Sequence, residues 1–184
     1  MKSRRLKAVP TVKVDGTSTT LSMDERGQVH VYSRNWELDS MSSNMQLAKR
    51  FQLDKMLWPG MAVQFELCGP GIQSNRLKLP AQRPFVFAVW KDHHKIDRNQ
   101  WPTGMPNLAV PELDENEWAL TGSVDDMIAK VDGLRGNVTK DRLDEGIVWH
   151  LHEDQQLSEG LANELGANRC FKIINNKYLT KNGL

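Results

Sequence analysis

The runs VKV (12–14), VQFEL (63–67) and CFKII (170–174) each set one ionisable side chain in an otherwise apolar stretch, and EGIVW (145–149) opens on a glutamate. β-Branched and aromatic residues dominate these runs, which suits a pleated, half-buried surface. Side chains alternate along a strand, so Lys13 leaves the face taken by Val12 and Val14. A buried, unpaired charge is strongly destabilising. Lys13, Glu66, Glu145 and Lys172 must therefore reach water, or converge on one another, on a metal or on a charged ligand. Singly, each reads as a solvent-facing or structurally paired residue. Jointly, two lysines and two glutamates on separate strands describe a polar cleft.

The rest of the chain supports strands with helices inserted between them. Residues 10–15, TTLSM (19–23) and QVHVYS (28–33) are short alternating runs, and DERG between the last two predicts a hairpin. SSNMQLAKRFQLDKML (42–57) carries serine and asparagine cap candidates with Leu47, Phe51 and Leu53 at near-helical spacing, so it predicts a helix stopped by Pro59-Gly60. MAVQFEL (61–67) and PFVFAVW (84–90) are strands flanking an irregular Gly/Pro/Asn segment. Residues 92–122 read as loop with one or two short helical pieces. SVDDMIAKVDGL has a serine cap and an acidic first turn, predicting a short helix that ends near Gly133. EGIVWHLH and RCFKIINNKYL return to strand. The class is α+β on antiparallel sheets.

Bulk properties narrow the function less. At 184 residues one domain is the default. Twenty-four Lys and Arg against 23 Asp and Glu leave +1, so only local clustering can speak for a polyanionic partner. Lys2, Arg4, Arg5 and Lys7 make residues 1–12 a basic N-terminal arm, which reads as a solvated terminus before it reads as a phosphate contact. Cys68 and Cys170 lack metal-ligand spacing and read as reduced residues of a cytoplasmic protein. No apolar run approaches membrane-spanning length, so no membrane partner is expected. His93 and His94 are adjacent, and His150 and His152 want a third ligand, so neither pair predicts a metal site. Trp101 and Trp118 fit packing beneath loops. VDGTST lacks the spacing of a phosphate-binding P-loop.

Lysines neutralise phosphate oxygens, carboxylates hold Mg²⁺, and a deprotonated lysine is a nucleophile. In that light KVDGTS (13–18) resembles the K-x-D-G signature of covalent nucleotidyltransferases, in the form typical of ATP-dependent RNA ligases. SRN (33–35), FELCGPGIQSNRL (65–77), FVFAVW (85–90), EGIVW (145–149) and FKIINNKYL (171–179) follow in the order of that family's remaining motifs. The resemblance is nearest to the bacterial and phage type. It implies an adenylyltransferase domain over residues 13–184, ATP-grasp-like, with antiparallel sheets, flanking helices and a nucleotide cleft between sheets. Its implied activity is self-adenylylation of Lys13 by ATP, transfer of AMP to an RNA 5′-phosphate, and sealing by a 3′-hydroxyl. Lys172 would grip the α-phosphate. Glu145, with Glu66 of the third motif, would hold Mg²⁺ or Mn²⁺. Ser18 and Arg34 would contact ribose or phosphate, Phe87 with Phe85 would line the adenine, and Lys177 would reach a phosphate. Gly16 would let the chain turn behind the nucleophile. RNA ends are the implied partners, with an accessory nucleic-acid-binding domain or protein. Two other readings stand beside it: a nucleotidyltransferase that self-adenylylates without sealing, and a non-catalytic nucleotide- or RNA-binding module.

Overall fold

The structure, a computed structural model, describes residues 6–120, 123–152, 155–166 and 169–184. Its strands in chain order are β1 (Ala8–Lys13), β2 (Thr17–Met23), β3 (Val29–Tyr32), β4 (Glu37–Leu38), β5 (Met61–Cys68), β6 (Arg83–Lys91), β7 (His94–Ile96), β8 (Gly146–Leu151) and β9 (Cys170–Ile174). The helices are α1 (Ser43–Arg50), α2 (Val124–Val131), α3 (Glu159–Leu165) and α4 (Asn176–Asn182). The chain divides into two compact units, Met1–Val14 with Pro111–Leu184, and Asp15–Val110. One boundary thus falls inside KVDG. Lys2, Arg4 and Arg5 of the basic arm lie outside the described residues, while Ala8 to Val12 are part of β1.

The first unit holds an antiparallel sheet in the order β1-β8-β9. Ala8, Ile147, Trp149, Leu151, Phe171 and Ile173 turn one face of it onto a core closed by Trp118 and Val131. The expected strand at 169–179 is shorter than predicted: β9 ends at Ile174, and Asn175 caps α4 by accepting from the Tyr178 N–H at 3.4 Å. The side-chain amide can do this because it replaces a missing intrahelical acceptor, which a hydrophobic count does not register. The α2 helix begins as predicted, with a capping box between Ser123 and Asp126. α3, capped by Ser158, has no counterpart in the sequence reading.

The second unit is a six-stranded antiparallel sheet, β4-β3-β2-β5-β6-β7. The DERG hairpin forms, with Asp24 Oδ1 accepting from the N–H groups of Arg26 (2.9 Å) and Gln28 (2.8 Å). Leu21, Val31, Val63, Phe65 and Leu67 face a core covered by Met45, Leu47 and Ala48 of α1. The helix predicted to run to Pro59 stops at Arg50, because Gln52 takes a left-handed conformation (φ 58°). A 3₁₀ turn at Leu53–Met56 then buries Leu53 completely. In the 92–122 stretch the 3₁₀ turns Arg98–Gln100 and Met105–Leu108 match the expected short helical pieces, but β7 was not foreseen. Its hairpin turns through Asp92 and His93, both at positive φ, without the Asn-Gly or Asp-Gly pair that announces such a turn.

His30 of β3 sits between Glu37 (2.8 Å) and Asp24 (3.5 Å). The Glu37 hydrogen bond, joined by Asp24, raises its pKa above the ordinary 6.5. A pKa raised by folding adds stability that is complete below the unfolded value and disappears as pH climbs through the folded one. Wild type is therefore expected to melt slightly above His30→Gln near about pH 5, with the gap closing by about pH 8.5. Thermal melts across that range check it.

Candidate nucleotidyl-transfer site

Lys13 is the last residue of β1 and pairs in register with Gly146 of β8, which pairs with Ile174 of β9. One ladder step away, Thr11 pairs with Val148 and Val148 with Lys172. Period-two alternation therefore puts Lys13, Thr11 and Lys172 on one face, opposite the core face of Ile147 and Trp149. Glu145 immediately precedes β8, and its Oε1 is 2.6 Å from the Lys13 Nζ. These two side chains are 22 % and 14 % exposed, whereas Lys172 is exposed. Both outcomes expected for such charges occur on this face: Lys13 and Glu145, largely buried, meet each other, and Lys172 reaches water. Lys177, in the first turn of α4, is not drawn into this set by any contact; its Nζ lies 3.2 Å from Asp132 Oδ2.

The position of Glu145 is fixed from two sides. Its carbonyl accepts from the Asn175 N–H at 2.9 Å. The completely buried Asn175 side chain donates to Asp144 O (2.9 Å) and Leu134 O (3.0 Å), and accepts from the Gly133 N–H (2.9 Å). One amide thus anchors the Glu145 turn to the end of the strand that carries Lys172. Asp144, also completely buried, accepts from the N–H groups of Asn137 and Val138 and from the Asn137 side-chain amide. Asn175 and Asp144 were not singled out from the sequence; their signal was a polar pair flanking apolar strands, which every turn displays.

In the second unit Ser18 pairs with Glu66, and Glu66 with Phe85, so these three form a row across β2, β5 and β6. The exposed Arg34 lies in the turn that joins β3 to β4, which the Ser33 N–H closes by donating to Trp36 O at 2.8 Å. A register shift between Gln64 and Phe65 leaves Phe87 as the extra residue of a β-bulge. The bulge explains why Val86 and Val89, three apart, are both completely buried in the same core. It leaves Phe87 half-buried, while Phe85 is buried beneath the Arg83 guanidinium, 4.5 Å from its ring centre. Asp15 of KVDG is held by Arg76, Nη1 to Oδ2 at 2.7 Å, and Gly16 O accepts from the Gln73 side-chain amide. Arg76 was missed because a lone arginine in a Gly/Pro/Asn-rich loop carries no pattern.

Both motif glycines sit where another strand passes. A Cβ on Gly16 would lie 2.1 Å from Leu67 O, and one on Gly146 would lie 2.1 Å from Ile173 O. For Gly16 this corrects the expected role. Its φ is not positive, so the requirement is close approach of β5 rather than a turn. Among the described residues no three His, Cys, Asp or Glu side chains cluster as a metal site. A Mg²⁺-type ion shared with substrate phosphates needs only one or two carboxylates from the protein. No described helix is long and apolar enough to cross a membrane.

The fold recurs in solved structures. Naegleria gruberi RNA ligase with pyrophosphate superposes on 97 % of this chain with a TM-score of 0.73 at 24 % identity. A lysine-to-alanine variant of that enzyme with ATP and Mn matches 98 % at 0.74 and 25 % identity. A glutamate-to-alanine variant with AMP and Mn matches 98 % at 0.73 and 24 %. The chain spans about half the length of these solved structures, 52 %, 52 % and 53 % respectively. No curated protein matches the sequence significantly. The family model described as RNA ligase matches residues 7–174, from the start of β1 through β9, and with that span of sequence and the shared architecture the chain belongs to the RNA ligase family.

Proposed function

We propose that this chain is the adenylyltransferase part of an ATP-dependent RNA ligase. The observation that carries the reading is Lys13 held 2.6 Å from Glu145, on the sheet face that also bears Lys172, in a member of this family. The Lys13 amine, having lost a proton, attacks the α-phosphorus of ATP. A P–N bond forms, the bond to the β-phosphate breaks, and pyrophosphate leaves. An oxygen of an RNA 5′-phosphate then attacks the same phosphorus and the P–N bond breaks. An RNA 3′-hydroxyl displaces AMP and closes the phosphodiester. Transfer of this kind is largely positioning and charge stabilisation.

Lys172 is assigned to the α-phosphate oxygens, and Ser18 and Arg34 to ribose or phosphate. Phe85 and Phe87 are assigned to the adenine, and Lys177 to a phosphate. Glu145 and Glu66 would hold Mg²⁺ or Mn²⁺, which supplies charge neutralisation of the departing pyrophosphate. The ligands of the Naegleria structures, pyrophosphate, ATP and AMP with Mn, are those such a sequence would pass through. Further grip on RNA is assigned to an additional domain or protein, and the setting to the cytoplasm, which suits two free cysteines.

The test is incubation with ATP labelled on the α-phosphate, with and without Mg²⁺ or Mn²⁺. An acid-stable, metal-dependent label on the protein, transferred to 5′-phosphorylated RNA and followed by joining, is the expected result. Absence of label in every metal would overturn the reading. Lys172→Ala is expected to lower the labelling rate by roughly 100- to 1,000-fold. Lys177→Ala should cost about tenfold or less, because Asp132 already engages its ammonium. Single-turnover labelling of both variants separates the two roles.

A further inference from the structure

The segment Leu134 to Asp144 is a closed excursion that opens directly into Glu145. Arg135 bridges Leu143, the Gly136 N–H donates to Arg142 O at 2.9 Å, and the Asp144 N–H donates to Leu134 O at 3.0 Å. Asn175 clamps both ends of its base through Leu134 O and Asp144 O. Its outward charge is one-sided. Arg135, Lys140 and Arg142 are exposed, and none forms an ion pair among the described residues. Of the two carboxylates, Asp144 is completely buried and consumed by amide donors inside the loop, which leaves Asp141 alone against three cations.

We propose that this loop is a docking surface for the phosphodiester backbone of RNA, with Arg135, Lys140 and Arg142 each neutralising a phosphate. The surface takes phosphates rather than bases: it offers three cations and no exposed aromatic ring on which a base would stack. Because internal hydrogen bonds already hold its backbone, little ordering entropy is lost on binding. Because the loop ends at Glu145, a strand gripped there is kept beside the residue that holds Lys13. The proposal rests on RNA being the substrate.

The experiment measures binding to a nicked, 5′-phosphorylated RNA duplex and to single-stranded RNA as a function of salt. Each phosphate contact contributes about 0.9 to the logarithmic salt slope on a duplex and about 0.7 on a single strand. The triple variant Arg135→Ala, Lys140→Ala, Arg142→Ala is expected to lose about 2 to 3 of that slope and roughly 30- to 100-fold in affinity at 0.15 M salt. Each single variant should lose about one phosphate's share, and the double variant Arg135→Lys, Arg142→Lys should keep it. The control carries Lys49→Ala, Arg50→Ala and Lys55→Ala, three exposed cations of the other unit. An unchanged slope in the loop variant, an equal loss in the control, or no RNA binding by wild type overturns the proposal. Self-adenylylation is measured on the same samples without RNA. It should be unchanged in the loop variant, and its absence from wild type would count against the ligase reading instead.

Discussion

Lys13→Ala is expected to carry no acid-stable AMP, at least roughly a thousandfold below wild type, because the atom that forms the bond to phosphorus is gone. Alanine also removes the partner of Glu145, so loss of label alone would not separate a nucleophile from a structural cation. Lys13→Arg makes that separation. Arginine keeps a positive charge beside Glu145 and can pair with a carboxylate at least as well as lysine. Its guanidinium does not lose a proton under these conditions and so cannot attack. The arginine variant should therefore melt close to wild type and still carry no label. A label on Lys13→Arg comparable to wild type would place the covalent bond on another residue and remove the basis of the proposed function.

Gly146→Ala is expected to be the most damaging single methyl group in the first unit. The added Cβ would lie 2.1 Å from Ile173 O and 3.0 Å from the Ile174 Cα, both backbone atoms that no rotamer change can clear. β8 is the central strand, so displacing it disturbs either the pairing with β1 that sets Lys13 or the pairing with β9 that sets Lys172. Overpacking of this kind costs about 3 kcal/mol, which for a chain of this size is a fall of roughly 6–12 °C in Tm. Labelling by the folded fraction should fall more than about tenfold, because misplacement of a reacting group by an ångström is enough for that. Gly160→Ala is the control. Its Cβ meets nothing within 4 Å and it lies in α3, so alanine should be neutral or stabilising by up to about 1 kcal/mol. Equal behaviour of the two variants in thermal melts would remove the close-approach argument.

Period and punctuation carried much of the architecture. The DERG hairpin, the strands read at 61–67 and 84–90, each within a residue of its observed ends, and the capped helix after Ser123 all form where the sequence places them. In each case the determining interaction is local: an aspartate accepting from the next turn's N–H groups, a serine at a helix start, an alternation that selects one face. Elements set by tertiary demand were misplaced. The run 169–179 has strand composition throughout, yet Asn175 converts its second half into α4 because its amide is bonded to Gly133, Leu134 and Asp144, more than thirty residues away in the chain. Helix α1 ends early because Leu53 fills a core position that a continuing helix would miss.

The sequence by itself determined which residues carry charge into the strands, and their order along the chain was enough to point to the family and to Lys13. Only the tertiary structure decided that Lys13 meets Glu145, that Lys172 shares its face in the open, that Phe87 sits on a bulge, and that Gly16 and Gly146 are there to let a neighbouring strand pass. The division has a physical cause. Alternation and capping are encoded within a few residues, whereas an ion pair between positions 13 and 145, or the clearance around a Cα, depends on which strands become neighbours, and no local stretch contains that information.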